Sequence, residues 1–169
     1  MKATELAKYI VSFFDHKGDL ITNKKLQKLI YYVEAWNLVY LNSIYDENIE
    51  AWVHGPVVRE VYDEYKKFGY SQITKDYPGG SCASKELRKL EKLLDINEDI
   101  RELIETVLEK YGALSSFQLE LLVHQERPWL EAREGLGPTD KCNKHISRDT
   151  MKEYYNSLIH AKEKEEKIS

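Results

Sequence analysis

The sequence predicts a mainly α fold: a single compact helical domain of about six or seven helices around a central buried helix, with one small β element. Three observations carry this expectation. Apolar residues recur at helical spacing through most of the chain, and the stripes are bounded by capping residues or glycines. One of these stretches, residues 22–42, is apolar nearly all round, as expected of a helix covered on several sides. Only one short stretch, Ile49–Val53, alternates with β-prone residues instead.

Taken in order, residues 3–16 form a first helix with Leu6, Ile10, Phe13 and Phe14 as its stripe, ended by Gly18. Asp19-Leu20-Ile21 is a short link, so the next helix runs back alongside. That central helix, 22–42, opens on Thr22 or Asn23, either of which can accept the free amide hydrogens of a first turn. Leu26, Leu29, Ile30, Val33 and Trp36 (or Asn37) give one face, and Tyr31, Tyr32, Ala35, Leu38 and Val39 fill most of the others. Only its first two turns, with Lys24, Lys25 and Lys28, read as solvated. After the Ile49–Val53 strand, His54-Gly55-Pro56 is a turn that launches a third helix carrying Val57, Val58, Val61, Tyr62, Tyr65 and Phe68. Residues 70–84 lack periodicity, contain Pro78-Gly79-Gly80, and are expected to form a long mobile loop. Further helices follow at 85–94, at 97–111 behind the cap Asn97, at 116–125 behind Ser115-Ser116 and ended by Pro128-Trp129, and at 148–160 behind Ser147. The domain is expected to span residues 1–160, with 161–169 a charged, solvent-exposed tail.

The 169 residues suffice to close a core without staples, and 42% hydrophobic with 32% charged residues is ordinary for a globular protein. A net charge of −4 counts against a general nucleic-acid binder, which needs a basic face to displace counterions from phosphates. Two cysteines make no disulfide framework, no secretory leader or membrane span is read, and the expected location is cytoplasmic. Twelve tyrosines, each an apolar body with a polar tip, suit core edges and interfaces.

Few constellations suggest chemistry. Cys142 and His145 have a metal-like spacing, but Cys82, His54 and His124 do not cluster with them, so no metal site is expected. Cys82 or Cys142 paired with a histidine would make a thiol nucleophile and its base, yet no local signature accompanies either. Gly79-Gly80-Ser81 lacks the preceding strand and the following Lys-Ser/Thr of a phosphate cradle. Lys24, Lys25 and Lys28 can meet phosphates or an acidic partner, or simply form a solvated helix start. His124, at the end of an apolar helix, is placed to cap the last carbonyls. No catalytic residue and no cofactor is expected.

Three segments together resemble a known family. Leu26-Gln27-Lys28-Leu29 with Tyr31-Tyr32 and Trp36, then Ile49 through Val58 with Val61-Tyr62, then Ser115-Ser116, Leu119, Leu122, His124, Pro128-Trp129 and Arg133 are similar to the SocA/GepA-like antitoxin family, the Panacea domain. The resemblance covers about Thr4 to Tyr155. It implies a type II toxin–antitoxin role, common in prophages: a protein antitoxin that binds and silences a protein toxin. One relative acts as an adaptor that delivers its toxin to an AAA+ protease. Some members add a helix-turn-helix domain, for which this chain has no spare length.

Within the motifs, Trp36, Trp52, Gly55, Pro56, Val57, Tyr62, His124, Pro128 and Trp129 read as mainly structural. The three indoles are expected to fill the core, each finding an acceptor for its N–H. Toxin recognition is expected on the 70–84 loop through Tyr70 and Tyr77, with Lys24 and Lys28 as further candidates, because interfaces draw on a few aromatic or cationic anchors. Two other readings stand beside this one. A small prophage-encoded hydrolase would use His124 or Cys82, and a nucleic-acid-binding regulator would use the Lys24–Lys28 turn.

Overall fold

A computed structural model describes residues 1–75 and 82–166, with side chains described as far as residue 161. Among these residues there are eight α-helices and one two-stranded antiparallel sheet. The helices are α1 (Ala3–His16), α2 (Asn23–Tyr40), α3 (Arg59–Tyr65), α4 (Ala83–Leu93), α5 (Glu98–Gly112), α6 (Ser116–Val123), α7 (Arg127–Ala132) and α8 (Arg148–Glu166). The strands are β1 (Ile49–Trp52) and β2 (Gly55–Val58).

The central position expected for residues 22–42 is borne out by α2, which packs against α1, α3, α5, α6, α8 and β2. Thr22 is its cap, the hydroxyl accepting from Lys25 N at 3.3 Å. From Leu26 to Ala35 every residue is buried, including both faces of the Tyr31-Tyr32 pair. A helix enclosed to this degree must satisfy its own polar side chains internally. Asn37 donates to Val33 O at 2.8 Å, and Glu34 accepts from Ser43 Oγ, from Ile44 N and from Arg148 Nε at 2.6–2.9 Å. Glu34 thus ties α8 and the connector after α2 to one buried carboxylate.

The other expected helices occur, with three differences. The region after Ile49–Val53 does not turn directly into a helix at Pro56. Gly55–Val58 is instead a second strand, paired Ile49↔Val58 through Trp52↔Gly55 across the two-residue tip Val53-His54, and α3 starts only at Arg59. Valines at 57 and 58 fit a pleated strand as readily as a helical stripe, and a periodicity of so few residues does not separate the two. Second, Pro128 does not end a helix but sits in the first turn of α7, where its missing N–H is no loss. Third, α4 begins at 83 and α8 runs on to 166, past the boundary placed at 160.

The loop expected to be mobile over 70–84 is anchored in its first half. Ile73 is buried and its N–H reaches Ile21 O at 2.8 Å, and Lys75 Nζ donates to Ser12 Oγ at 2.8 Å. Tyr77 and Pro78-Gly79-Gly80 lie outside the described residues. Gly112 is the last residue of α5. A Cβ there would meet Phe14 Cζ at 2.5 Å, so its bare backbone admits the α1 ring. No described helix is long and apolar enough to cross a membrane.

Candidate functional site

The hairpin of β1 and β2 is held on both edges. On one side α2 supplies two adjacent polar side chains: Gln27 Oε1 accepts from Val58 N at 2.9 Å, and Lys28 Nζ donates to Pro56 O at 3.2 Å. On the other side residues 144–146 pair with β1, Ala51 N reaching Lys144 O at 2.9 Å and Ile146 N reaching Ile49 O at 2.7 Å. The sheet edge is therefore consumed, and what the hairpin presents outward is its tip.

The tip rests on Gly55, whose φ of +102° favours glycine. A Cβ there would stand 2.6 Å from Lys28 Cε and 3.0 Å from Val123 Cγ1. Gly55→Ala is therefore expected to cost at least about 2 kcal/mol, from the positive φ and the overlap together. A denaturation midpoint equal to that of the parent would show that the tip relaxes freely.

Lys28 is 1% exposed, which corrects its reading as part of a solvated helix start and removes it as a direct surface contact. Burial pushes its pKa down to about 7, a displacement that Glu120 opposes and Lys24 reinforces. Lys24 itself is half-buried and forms an ion pair with Glu120, which also accepts from His54 Nδ1 at 2.8 Å. Burial works against the Glu120 carboxylate, but the bonds from Lys24 and His54 outweigh it and hold its pKa below the usual range. Behind this group His124 stacks on Trp129 at 4.1 Å, with Nε2 enclosed and unpartnered among the described residues, and burial holds its pKa below the usual histidine value.

Two clefts flank the tip. One, of about 660 Å³, has Trp52, Val53 and Val57 as its apolar lining and Arg59, Lys141 and His54 as polar groups; Cys142 also lines it. The other, of about 480 Å³, lies between His54, Glu120, His124, Leu130 and Leu136. Arg133, buried, pins the loop between them by donating to Ala51 O, Gly137 O and Asp140 O at 2.8–3.1 Å.

The motif residues other than Trp36 gather in and around this hairpin, and Trp36 lies further along α2 against Tyr40 and Tyr155. Each indole finds an acceptor: Trp36 donates to Tyr111 OH at 3.0 Å, Trp52 to Glu50 Oε2 at 2.7 Å and Trp129 to Trp52 O at 3.0 Å. Trp129 is buried, whereas Trp36 and Trp52 are partly exposed. Tyr62 meets the Trp52 ring edge-on at 4.9 Å. Pro56 and Val57 are buried in β2, and Pro128 lies in the first turn of α7. Tyr70 is apart from this group and 98% exposed.

The decisive comparison covers residues 26–130, which match the model of the antitoxin SocA-like family, Panacea domain. That is more than half of the chain, and it contains all but the first three residues of α2, and the hairpin and α3 to α6 whole. The chain belongs to this antitoxin family. Comparison with curated proteins and with solved structures gave no match.

Within this Panacea domain, two functional-looking groups escaped the sequence. Glu120 has no visible signal beyond being the lone charged residue of α6. Glu126 has one: two consecutive tyrosines on an enclosed helix demand a polar partner. Glu126 is 4% exposed and accepts from the hydroxyls of Tyr31 at 3.3 Å, Tyr32 at 3.1 Å and Tyr155 at 2.8 Å, joining α2 and α8 at the start of α7. Burial raises its pKa to about 7 despite those three bonds. No group of three or more metal-ligating side chains occurs among the described residues.

Proposed function

We propose that this chain is the antitoxin of a type II toxin–antitoxin system and neutralises a cognate protein toxin by direct binding in the cytoplasm. The observation that carries the reading is its membership of the SocA-like antitoxin family over residues 26–130. The structure supports a binding role through surfaces that the core leaves uncovered. α6 is apolar on both faces, burying Leu119 and Val123 and exposing Phe117 (64%) and Leu121 (47%). Tyr70 stands free at the head of a loop, as an interface anchor would. The same grip serves either occlusion of the toxin or its delivery to an AAA+ protease, and a protease-dependent fall in toxin level separates the two.

The test is co-expression with an adjacent reading frame whose expression alone is toxic. Growth is expected to return only with this protein present, near one antitoxin per toxin. Tyr70→Ala and Tyr77→Ala are expected to weaken rescue several-fold with the melting temperature unchanged. Unchanged rescue would move recognition to another surface.

A second reading has one specific observation behind it. Cys142 and His54 line the same cleft, and Glu120 orients the His54 imidazole, as a thiol hydrolase would require. Rescue at far below one molecule per toxin, abolished by Cys142→Ala, would favour it. Cys82, the thiol named from sequence, is exposed and paired with Ser84 Oγ at 3.1 Å instead.

A further inference from the structure

We propose that the cleft between the hairpin tip and residues 139–143 is a docking site for an extended segment of the toxin in which an apolar side chain is flanked by carboxylates. The inference rests on the antitoxin reading and adds the surface and the chemistry of the segment it takes.

The cleft has the two parts such a segment needs. Its floor is apolar: Trp52, Val53 and Val57. The Trp52 indole N–H is already bonded to Glu50, so the floor offers ring surface without an unmet donor. Its rim is cationic. The Arg59 charge is matched, because its guanidinium makes two bonds to Glu50 at 2.7–2.8 Å while lying over the Trp52 ring. Lys141 is exposed and has no ion pair or side-chain hydrogen bond among the described residues. In a chain of net charge −4, an apolar floor with an unmatched cation at its edge selects an acidic partner segment.

The walls are also set in advance. One is the hairpin, fixed by Gln27 and Lys28 from below. The other is the 137–146 segment, fixed by Arg133 at Gly137 and Asp140 and by its pairing with β1 at Lys144 and Ile146. A site whose walls are already in place spends little ordering entropy on binding. The cleft on the far side of the tip lacks this balance, since the Glu120 that lines it already matches Lys24 and His54.

The experiment pairs two probes on the full chain. The first is the product of an adjacent reading frame whose expression alone is toxic, read by growth rescue and by the affinity of the purified complex. The second is a pair of synthetic hexapeptides, Glu-Asp-Leu-Phe-Glu-Asp and its lysine counterpart Lys-Lys-Leu-Phe-Lys-Lys, titrated while following the amide resonances of Val53, His54 and Lys141. Lys141→Glu, an exposed change that leaves the fold intact, is expected to weaken the complex on the order of tenfold at low salt, and Lys141→Arg is expected to keep it. The acidic peptide is expected to shift the three resonances and the basic one to leave them still. Complex affinity unchanged in Lys141→Glu while Tyr70→Ala abolishes it would overturn the cleft and leave the antitoxin reading standing. A failure of the parent chain to rescue, with the acidic peptide still seated at Val53 and Lys141, would overturn the antitoxin reading and keep the cleft. Equal binding of both peptides, or a dimer of this chain dispersed by Lys141→Glu, would overturn the cleft as an acidic-segment site.

Discussion

Between pH 4.5 and pH 7 the parent protein is expected to lose about 3 kcal/mol of stability through Glu126, and the Glu126→Gln variant is expected to lose none of that amount. The sign follows from proton binding. In the unfolded chain the carboxyl titrates near its ordinary value of 4.5; in the folded protein burial holds it protonated up to about 7. Across that window the folded state binds more protons, so raising the pH favours unfolding. The gap, at about 1.4 kcal/mol per pH unit, gives the magnitude. Glu50, which is buried, and Glu120, which is half-buried, do not blur it: both are held below their usual range, so their contributions are lost only as pH falls beneath 4.5. His124, held below the usual histidine range by burial, works in the opposite direction within the window, but it does so in both proteins. The difference between parent and variant in urea titrations at pH 5 and pH 8 therefore isolates Glu126. Glutamine keeps the shape and an acceptor for the tyrosine hydroxyls of α2 and α8. Glu126→Leu strands all three and is expected to destabilise at every pH. A parent–variant difference that does not change with pH would show that the carboxyl titrates normally in its tyrosine cage.

The helices were legible because their signals are local. Thr22, Asn97, Ser115 and Ser147 each accept from an amide three residues on, and the apolar stripes of α1, α2 and α5 turn inward as their spacing requires. The hairpin was half legible. Ile49–Val53 alternates, but β2 contains a proline and two valines that any short apolar run matches, and its backbone is bonded by Gln27 and Lys28, which stand some thirty residues earlier. The same distance hid Lys28. In sequence it is one of three lysines in a helix start, and nothing local distinguishes the lysine that points into the sheet from Lys24, which meets Glu120 at the surface. Glu126 was hidden likewise, since a carboxylate between a histidine and a proline reads as a turn residue until Tyr31, Tyr32 and Tyr155 close over it. Pairwise long-range geometry, not periodicity, decides each of these.

Lys28→Met is expected to stabilise the protein at pH 6 by about 1–4 kcal/mol and to remove a rise in stability that the parent shows between pH 7 and 10.5. The ammonium has three donors and one acceptor in reach, Pro56 O at 3.2 Å, in a site with 1% exposure. In the folded protein burial brings its pKa down to about 7, while the unfolded chain holds the proton to about 10.5. Between those values the unfolded state binds more protons, so stability climbs with pH, by about 5 kcal/mol if the full gap is realised. Below pH 7 the whole cost is present, which is where the variant gains. Methionine retains most of the stem, and the stem must stay, because Lys28 Cε fills the space against Gly55. Lys28→Ala therefore separates the two roles: it removes the charge but opens a void beneath the tip, and is expected to destabilise where Lys28→Met stabilises. Loss of stability in both variants at pH 6 would mean that the bond to Pro56 outweighs the cost of burying the charge. If Lys28→Met is more stable yet fails the rescue assay of the proposed function, the ammonium sets a conformation of the tip that rescue requires, and its energetic cost is the condition for that shape.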